Sequence, residues 1–338
     1  MTRVRRHWVE LACLGLGVAA LVVTVWQIGL GGVVRDLRLI GWGMAAILLV
    51  EVLNVVFNTW GWSLAFPAGE RTVSGRRLLA ARLAGDGVNY LTPSATVGGE
   101  LLRIRLLGPA VPLGLRWASV GVAKLGQTVA QAVFILLGLA LVLPHLAEVS
   151  HLAAWMVAGG AAMLVSLSLG WLLRRGLWAT LEGLAGRLGL GAWLPASWAG
   201  PGRDLDAALV RLGHVRLVAS LACFVAGWAV GAVEIYVILA WLGGPVDWQT
   251  ALALETGSVL IDGILFFVPG KVGTQEGGKV LLFAALGLNP ARGLTVGVVR
   301  RIRELTYAGL GLAALGALTV CPTPRVRHSP LAERSEPS

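Results

Sequence analysis

The segment Gly85-Asp86-Gly87-Val88-Asn89-Tyr90-Leu91-Thr92-Pro93, continued by Val97-Gly98-Gly99-Glu100, returns in its punctuation 176 residues later. The second copy reads Ile261-Asp262-Gly263-Ile264-Leu265-Phe266-Phe267-Val268-Pro269, then Val272-Gly273-Thr274-Gln275-Glu276. Both follow D-G-x5-P-x6-E without a gap. Each unit reads as an apolar half-helix, a Pro and Gly break that frees backbone groups, and a second helix too short to cross a bilayer. After Gln275 the apolar run ends near Leu288, about 14 residues, where a span needs about 20. The units, around 78–107 and 249–288, are therefore predicted to be re-entrant hairpins. Their break residues are Pro93, Gly98, Gly99, Pro269, Gly270 and Gly273. Unwound backbone at membrane depth is tolerated only where protein or a water-filled cavity covers it, so the breaks mark an interior cavity.

The rest of the chain agrees with a bilayer as solvent. Of 338 residues 56% are hydrophobic and 14% charged, with mean hydropathy +0.76, whereas a soluble domain carries about a quarter charged. Apolar runs over 8–30, 42–66, 116–143, 152–173, 215–242 and 292–320 predict six full crossings. The expected fold is thus an all-α polytopic membrane protein, six transmembrane helices plus two re-entrant hairpins, in one domain over 1–320. A disordered cytoplasmic tail follows over 321–338. The basic start does not read as a cleaved signal, because its apolar run is too long and lacks a cleavage site.

Arginine sets the orientation. The net charge is +10, and with the N-terminus inside, the cytoplasmic segments hold 19 of the 28 Lys and Arg. Both termini are predicted cytoplasmic. The parity of the spans then makes the first unit enter from inside and the second from outside, an inverted repeat of the kind secondary transporters place around a midplane site. The cytoplasmic loop 174–216 mixes Arg with Trp178, Leu181, Leu184 and Trp198, as suits an amphipathic helix at an anionic lipid surface. Because the arginines flank spans and form no soluble basic face, nucleic acid is not an expected partner.

Eight acidic residues fall in apolar segments: Glu51, Asp86, Glu100, Glu234, Glu255, Asp262, Glu276 and Glu304. A charge at mid-bilayer costs at least ~2.5 kcal/mol, so each is expected to face a partner or water. The cavity candidates are Asp86, Asn89, Glu100, Arg103, Lys124, Asp262, Lys271, Gln275, Glu276, Arg300, Arg303 and Glu304. Lys124, Gln127 and Gln131 form one polar helix stripe, and Arg300 and Glu304, with Tyr307 continuing their face, form another. The stripe Glu51, Asn54, Asn58 reads as interhelical glue. No catalytic residue, metal site or cofactor is expected. The three cysteines and five histidines show no ligand spacing, and no phosphate-binding GxxxxGK[ST] loop is present, so movement would be passive or ion-coupled, with Glu100 or Glu276 as proton carrier.

The strings GDGVNYLTPSATVGGELLRIRLL (85–107), FFVPGKVGTQEGGKVLLFAALGL (266–288) and VRRIREL (299–305) resemble a flippase-like membrane family related to the transmembrane region of lysylphosphatidylglycerol synthases, nearest its hopanoid-biosynthesis subfamily. The resemblance implies a bacterial inner-membrane protein that moves a lipid, anionic or modified, across the bilayer, with membrane lipids as partners. The aminoacyltransferase domain of the full synthases is absent from this sequence, so no enzyme activity is carried over. Two other readings stay open. One is a non-transporting partner that gathers hopanoid or glycolipid enzymes. The other is a lipid transferase using Asp86 or Asp262 as base.

Overall fold

The computed structural model describes residues 30–91, 97–146, 176–187, 189, 199–243, 246–264 and 273–320. Among them are eleven helices and no strand. They are α1 (Leu30–Ile40), α2 (Gly43–Leu64), α3 (Gly75–Leu91), α4 (Val97–Leu106), α5 (Leu113–Leu146), α6 (Leu177–Arg187), α7 (Ala199–Leu212), α8 (His214–Trp241), α9 (Trp248–Ile264), α10 (Thr274–Ala285) and α11 (Pro290–Val320). The expected spans over 8–29 and 152–173, the tail, the break residues Pro93, Pro269 and Gly270, and the cavity candidate Lys271 lie outside the described residues.

Three helices are long and apolar enough to cross a membrane: α2, α5 over 113–142, and α8. Helix α11 has the length, 31 residues at about 1.5 Å each, but Arg300, Arg301, Arg303 and Glu304 interrupt its apolar run. Each D-G-x5-P-x6-E unit is a helix of 17 residues followed by a short one, of 10 residues in α4 and 12 in α10. In the first unit the short helix folds back on the long one through glycines. A Cβ on Gly99 would lie 2.1 Å from the Gly85 carbonyl oxygen, and Asn89 Oδ1 accepts the Gly99 N–H at 2.7 Å. In the second, Gly273 takes the left-handed backbone (φ 77°) that starts α10, and its N–H donates to Glu276 Oε2 at 2.9 Å.

Shifted by 176 residues, the ends of α2, α3, α4 and α5 fall within five residues of the ends of α8, α9, α10 and α11. Packing follows the same correspondence. Helices α2 and α8 run antiparallel: Gly43 lies under the Trp241 ring, Asn54 Nδ2 donates to the Gly227 carbonyl (3.2 Å), and Ser220 Oγ donates to the Gly61 carbonyl (2.8 Å). Helix α3 crosses α11 with Leu83 opposite Gly311 and Gly87 opposite Ala308, and its counterpart α9 crosses α5 with Val259 opposite Gln131 and Thr256 opposite Gly138. Helices α10 and α11 meet at Glu276 and Gly297, and α4 meets α5 at Glu100 and Lys124.

The Gly311 crossing is tight enough to be tested. A Cβ there would stand 2.2 Å from the Leu83 carbonyl oxygen, so Gly311→Ala forces two helix backbones apart. The expected cost is about 1–3 kcal/mol, read as a lower thermal unfolding temperature in detergent. Gly309→Ala, two residues away with nothing within 4 Å, is expected to cost nothing. Equal effects of the two would contradict the crossing.

Apolar side chains form one cluster around Trp62, Phe66, Leu78, Leu107 and Phe224 and another around Ile40, Ile47, Ile235, Ile238 and Phe283. These clusters sit at opposite ends of the α2–α8 pair, so the polar positions 51–58 and 227–234 lie between them. The segment expected at the lipid surface forms α6 and α7, and α7 packs into the first cluster through Leu209 and Leu212. Asp206 of α7 accepts the N–H groups of Trp178 and Ala179 (2.9 and 3.1 Å), which caps α6, while Leu181 and Leu184 stay exposed.

Candidate functional site

The polar layer between the two apolar clusters is a chain of opposite charges. Glu51 of α2 meets Arg303 of α11 (2.9 Å), which meets Glu234 of α8 (2.5 Å); Glu234 meets Arg300 (3.1 Å), and Arg300 meets Glu255 of α9 (2.5 Å). The sequence alternates because α11 carries both arginines on one face, three residues apart, and each finds carboxylates on the helices it packs against. A second chain occupies the first hairpin. Arg103 pairs with Asp86 and with Glu100 (2.6 Å), Arg82 approaches Asp86 (3.3 Å), and Lys124 approaches Glu100 (3.7 Å). Arg301 links the halves, bonding Glu276 Oε1 from two nitrogens (3.0 and 2.7 Å) and the Tyr90 hydroxyl (2.9 Å). In these contacts six carboxylates are served by Arg82, Arg103, Lys124, Arg300, Arg301 and Arg303. This satisfies the rule that buried charges are paired.

Where the chains converge, helices α2, α3 and α11 leave a half-open cavity of about 210 Å³. Its walls carry Glu51 and Asn54, Arg82, Asp86 and Tyr90, and Arg303, Glu304 and Tyr307. Three carboxylates and two guanidiniums thus face one space, flanked by two phenols. Glu304 stands at the inner wall: Oε1 accepts from Gln275 Nε2 (2.8 Å), while Oε2 accepts no hydrogen bond and faces Arg301 at 3.9 Å. Such a lining holds a group that carries both signs of charge together with hydrogen-bonding atoms.

The sequence candidates divide accordingly. Asp86, Arg303 and Glu304 line the cavity; Arg103 and Gln275 lie one contact behind it, on Asp86 and Glu304; Glu100, Glu276 and Arg300 lie two contacts behind, through Arg103, Arg301 and Glu234; and Lys124 completes the chain at Glu100. Asn89 holds the hairpin at Gly99, and Glu276 is committed to the start of α10 as well as to Arg301. Asp262 lies beside Lys279 and Ser258 around a void too small for water between α9 and α10. The stripe expected to be glue splits. Glu51 and Asn54 line the cavity, while Asn58 Oδ1 meets the Gln127 amide at 2.9 Å. Arg82, Arg301, Tyr90 and Tyr307 were not among the candidates, although Arg82 stands one helical turn before Asp86, a spacing that signals a pair. Among the described residues no cluster of three His, Cys, Asp or Glu is placed to hold a metal ion.

A family model described as the lysylphosphatidylglycerol synthase TM region matches residues 10–312. No curated protein and no solved structure matches the chain.

Proposed function

The chain belongs to the family of lysylphosphatidylglycerol synthase transmembrane regions, and from that membership and the two-signed cavity we propose that this helical membrane protein passes lipid headgroups across the bacterial inner membrane. The cavity carries the reading. It lies at the middle of α2 and α11, between the two apolar clusters, where a headgroup leaving water loses its hydration and needs replacement partners. Glu51, Asp86 and Glu304 suit the cationic part of a headgroup, and Arg82 and Arg303 suit its phosphate. The acyl chains stay in lipid.

In this reading the two broken-helix units are re-entrant and inverted, in a protein with six crossings and both termini in the cytoplasm. Support for inversion comes from α2 and α8. These helices stand in equivalent positions 176 residues apart and pack antiparallel, which a half-turn about an axis in the membrane plane produces. Support for re-entry comes from the 10 and 12 residues of α4 and α10, at about 1.5 Å each half the hydrocarbon thickness.

The test is the rate at which purified protein in liposomes exposes fluorescent lipids to an external quencher. Phosphatidylglycerol, phosphatidylethanolamine and a native lipid extract containing hopanoids are compared. Acceleration of at least about tenfold over protein-free vesicles, or about 1.4 kcal/mol of barrier, is expected for a headgroup bearing both charges. Folded protein that accelerates none of them would overturn the proposal and leave a non-transporting role beside lipid-synthesising enzymes.

A further inference from the structure

The two charge chains do not balance. Helix α11 supplies Arg300, Arg301 and Arg303, and five carboxylates meet them: Glu51, Glu234, Glu255, Glu276 and Glu304. The first hairpin sets Arg82, Arg103 and Lys124 against Asp86 and Glu100. Lys279, buried between α9 and α10, faces Asp262 and cancels it. Among the described residues of this layer one carboxylate is therefore left over, and an uncompensated charge at membrane depth is costly.

The contacts single out Glu51. Glu234, Glu255 and Glu276 each accept a hydrogen bond from an α11 arginine, Asp86 and Glu100 accept from Arg103, and Glu304 accepts from Gln275. Among these contacts Glu51 accepts no hydrogen bond. Its ion pair is with Arg303 Nη1 (2.9 Å), the nitrogen that donates to Glu234 at 2.5 Å, so two carboxylates converge on one nitrogen. Glu234 is 1% exposed and also meets Arg300 (3.1 Å), which holds it ionised, while Glu51 opens on the cavity. Carboxylates this close do not both ionise without further cations. The other groups facing Glu51 are Arg300, Glu304 and Tyr307 of α11, Arg82 of α3 and, across the cavity, Asp86 and Tyr90. Arg82 and Arg300 are already engaged with Asp86, Glu234 and Glu255.

We propose that Glu51 carries an exchangeable proton while the cavity holds no headgroup and releases it to water when the cationic part of a headgroup binds. The O–H bond of the carboxyl breaks, the proton leaves through the open side of the cavity, and the carboxylate pairs with the arriving ammonium. One positive charge replaces another, so the layer stays balanced in both states. The exchange also has a direction: protons entering from the more acidic face unload the headgroup there, so lipid moves toward that face. The sequence candidates for this role are committed elsewhere, Glu100 to Arg103, and Glu276 to Arg301 and the start of α10. This inference rests on the lipid-moving reading for its headgroup, but the proton is tested without lipid.

The first test is infrared difference spectroscopy of the purified wild-type protein and Glu51→Gln in detergent. In weakly acidic buffer, where an ordinary carboxyl is ionised, the wild type is expected to show a protonated-carboxyl band that Glu51→Gln lacks. Glu51→Asp, which keeps a titratable group, is expected to keep the band at a shifted frequency, and the unfolding temperature shows whether each variant is folded. The second test adds short-chain phosphatidylethanolamine to lightly buffered protein containing a pH dye. The wild type is expected to release about one proton per lipid bound, with affinity falling about tenfold per unit of added acidity, and Glu51→Gln to do neither. Identical carboxyl spectra for the wild type and both folded variants overturn the proposal whether or not lipid moves, and lipid binding without proton release overturns the exchange. A Glu51 band in protein that binds and moves no lipid removes the lipid reading and leaves the proton site standing.

Discussion

Substitution of Arg300 by Met is expected to destabilise the protein by about 3–5 kcal/mol, enough to remove most of it from a membrane preparation. Arg300 is 6% exposed and bonds Glu255, Glu234 and the Gly231 carbonyl at 2.5, 3.1 and 2.9 Å. Met keeps much of the volume and removes the charge. Glu234 retains Arg303, but Glu255, 4% exposed, loses its ion-pair partner and becomes a carboxylate buried without a counter-charge. The measurement is thermal unfolding in detergent, followed by the intrinsic fluorescence of the 14 tryptophans. The double variant Arg300→Met/Glu255→Met is expected to regain more than half of the loss, since replacing both partners of a buried pair by apolar groups is close to neutral. An unchanged unfolding temperature for the single variant would dismiss the charge chain as a source of stability.

Filling the cavity is expected to have the largest effect on lipid movement. Val55 lines it from α2 and is the one wall position there without a polar atom, so Val55→Trp occupies the space without removing a hydrogen bond or an ion pair. Lipid exposure by liposomes carrying this variant should fall at least about tenfold, a barrier increase of about 1.4 kcal/mol, with the unfolding temperature lowered by far less than in Arg300→Met. Val56→Trp is the control, because Val56 is 44% exposed and points away from the cavity. Equal rates for Val55→Trp and the wild type would remove the cavity from the route.

Features that break a local pattern were legible in the sequence. Asp86, Pro93, Glu100 and their counterparts interrupt apolar runs, and interruption is visible without knowing what packs where. The short helices α4 and α10 follow directly from the distance between the break and the next turn. The pair Arg103 and Glu100 was also legible, being three residues apart on one helix. The alternation Glu51, Arg303, Glu234, Arg300, Glu255 was not, because it runs through four helices and exists only once they are packed. The sequence shows carboxylates and arginines side by side as candidates, but which carboxylate each arginine meets is fixed only by the packing. Glu276, a cavity candidate as the last residue of the second D-G-x5-P-x6-E unit, stands three residues after Gly273 and is the partner of that N–H. The 176-residue offset also relates the α5 stripe to the α11 stripe, but Gln127 and Arg303, or Gln131 and Tyr307, differ too much in type to be matched before the helices are packed.

The charge distribution along the chain also orders its biogenesis. Helix α11 is the last of the described helices and brings Arg300, Arg301 and Arg303, while their counter-ions Glu51, Glu234, Glu255 and Glu276 all lie on helices synthesised before it. Before α11 emerges from the ribosome, those carboxylates form a slot without these cations. Offered to lipid alone, α11 meets an insertion penalty of about 2.5–3.5 kcal/mol for each central charge. Docking into that slot would offset the penalty, so the charges that obstruct autonomous insertion of the helix would also address it to its place. A ribosome stalled before residue 290 would hold a bundle in which Glu51, Glu234, Glu255 and Glu276 still lack these arginines.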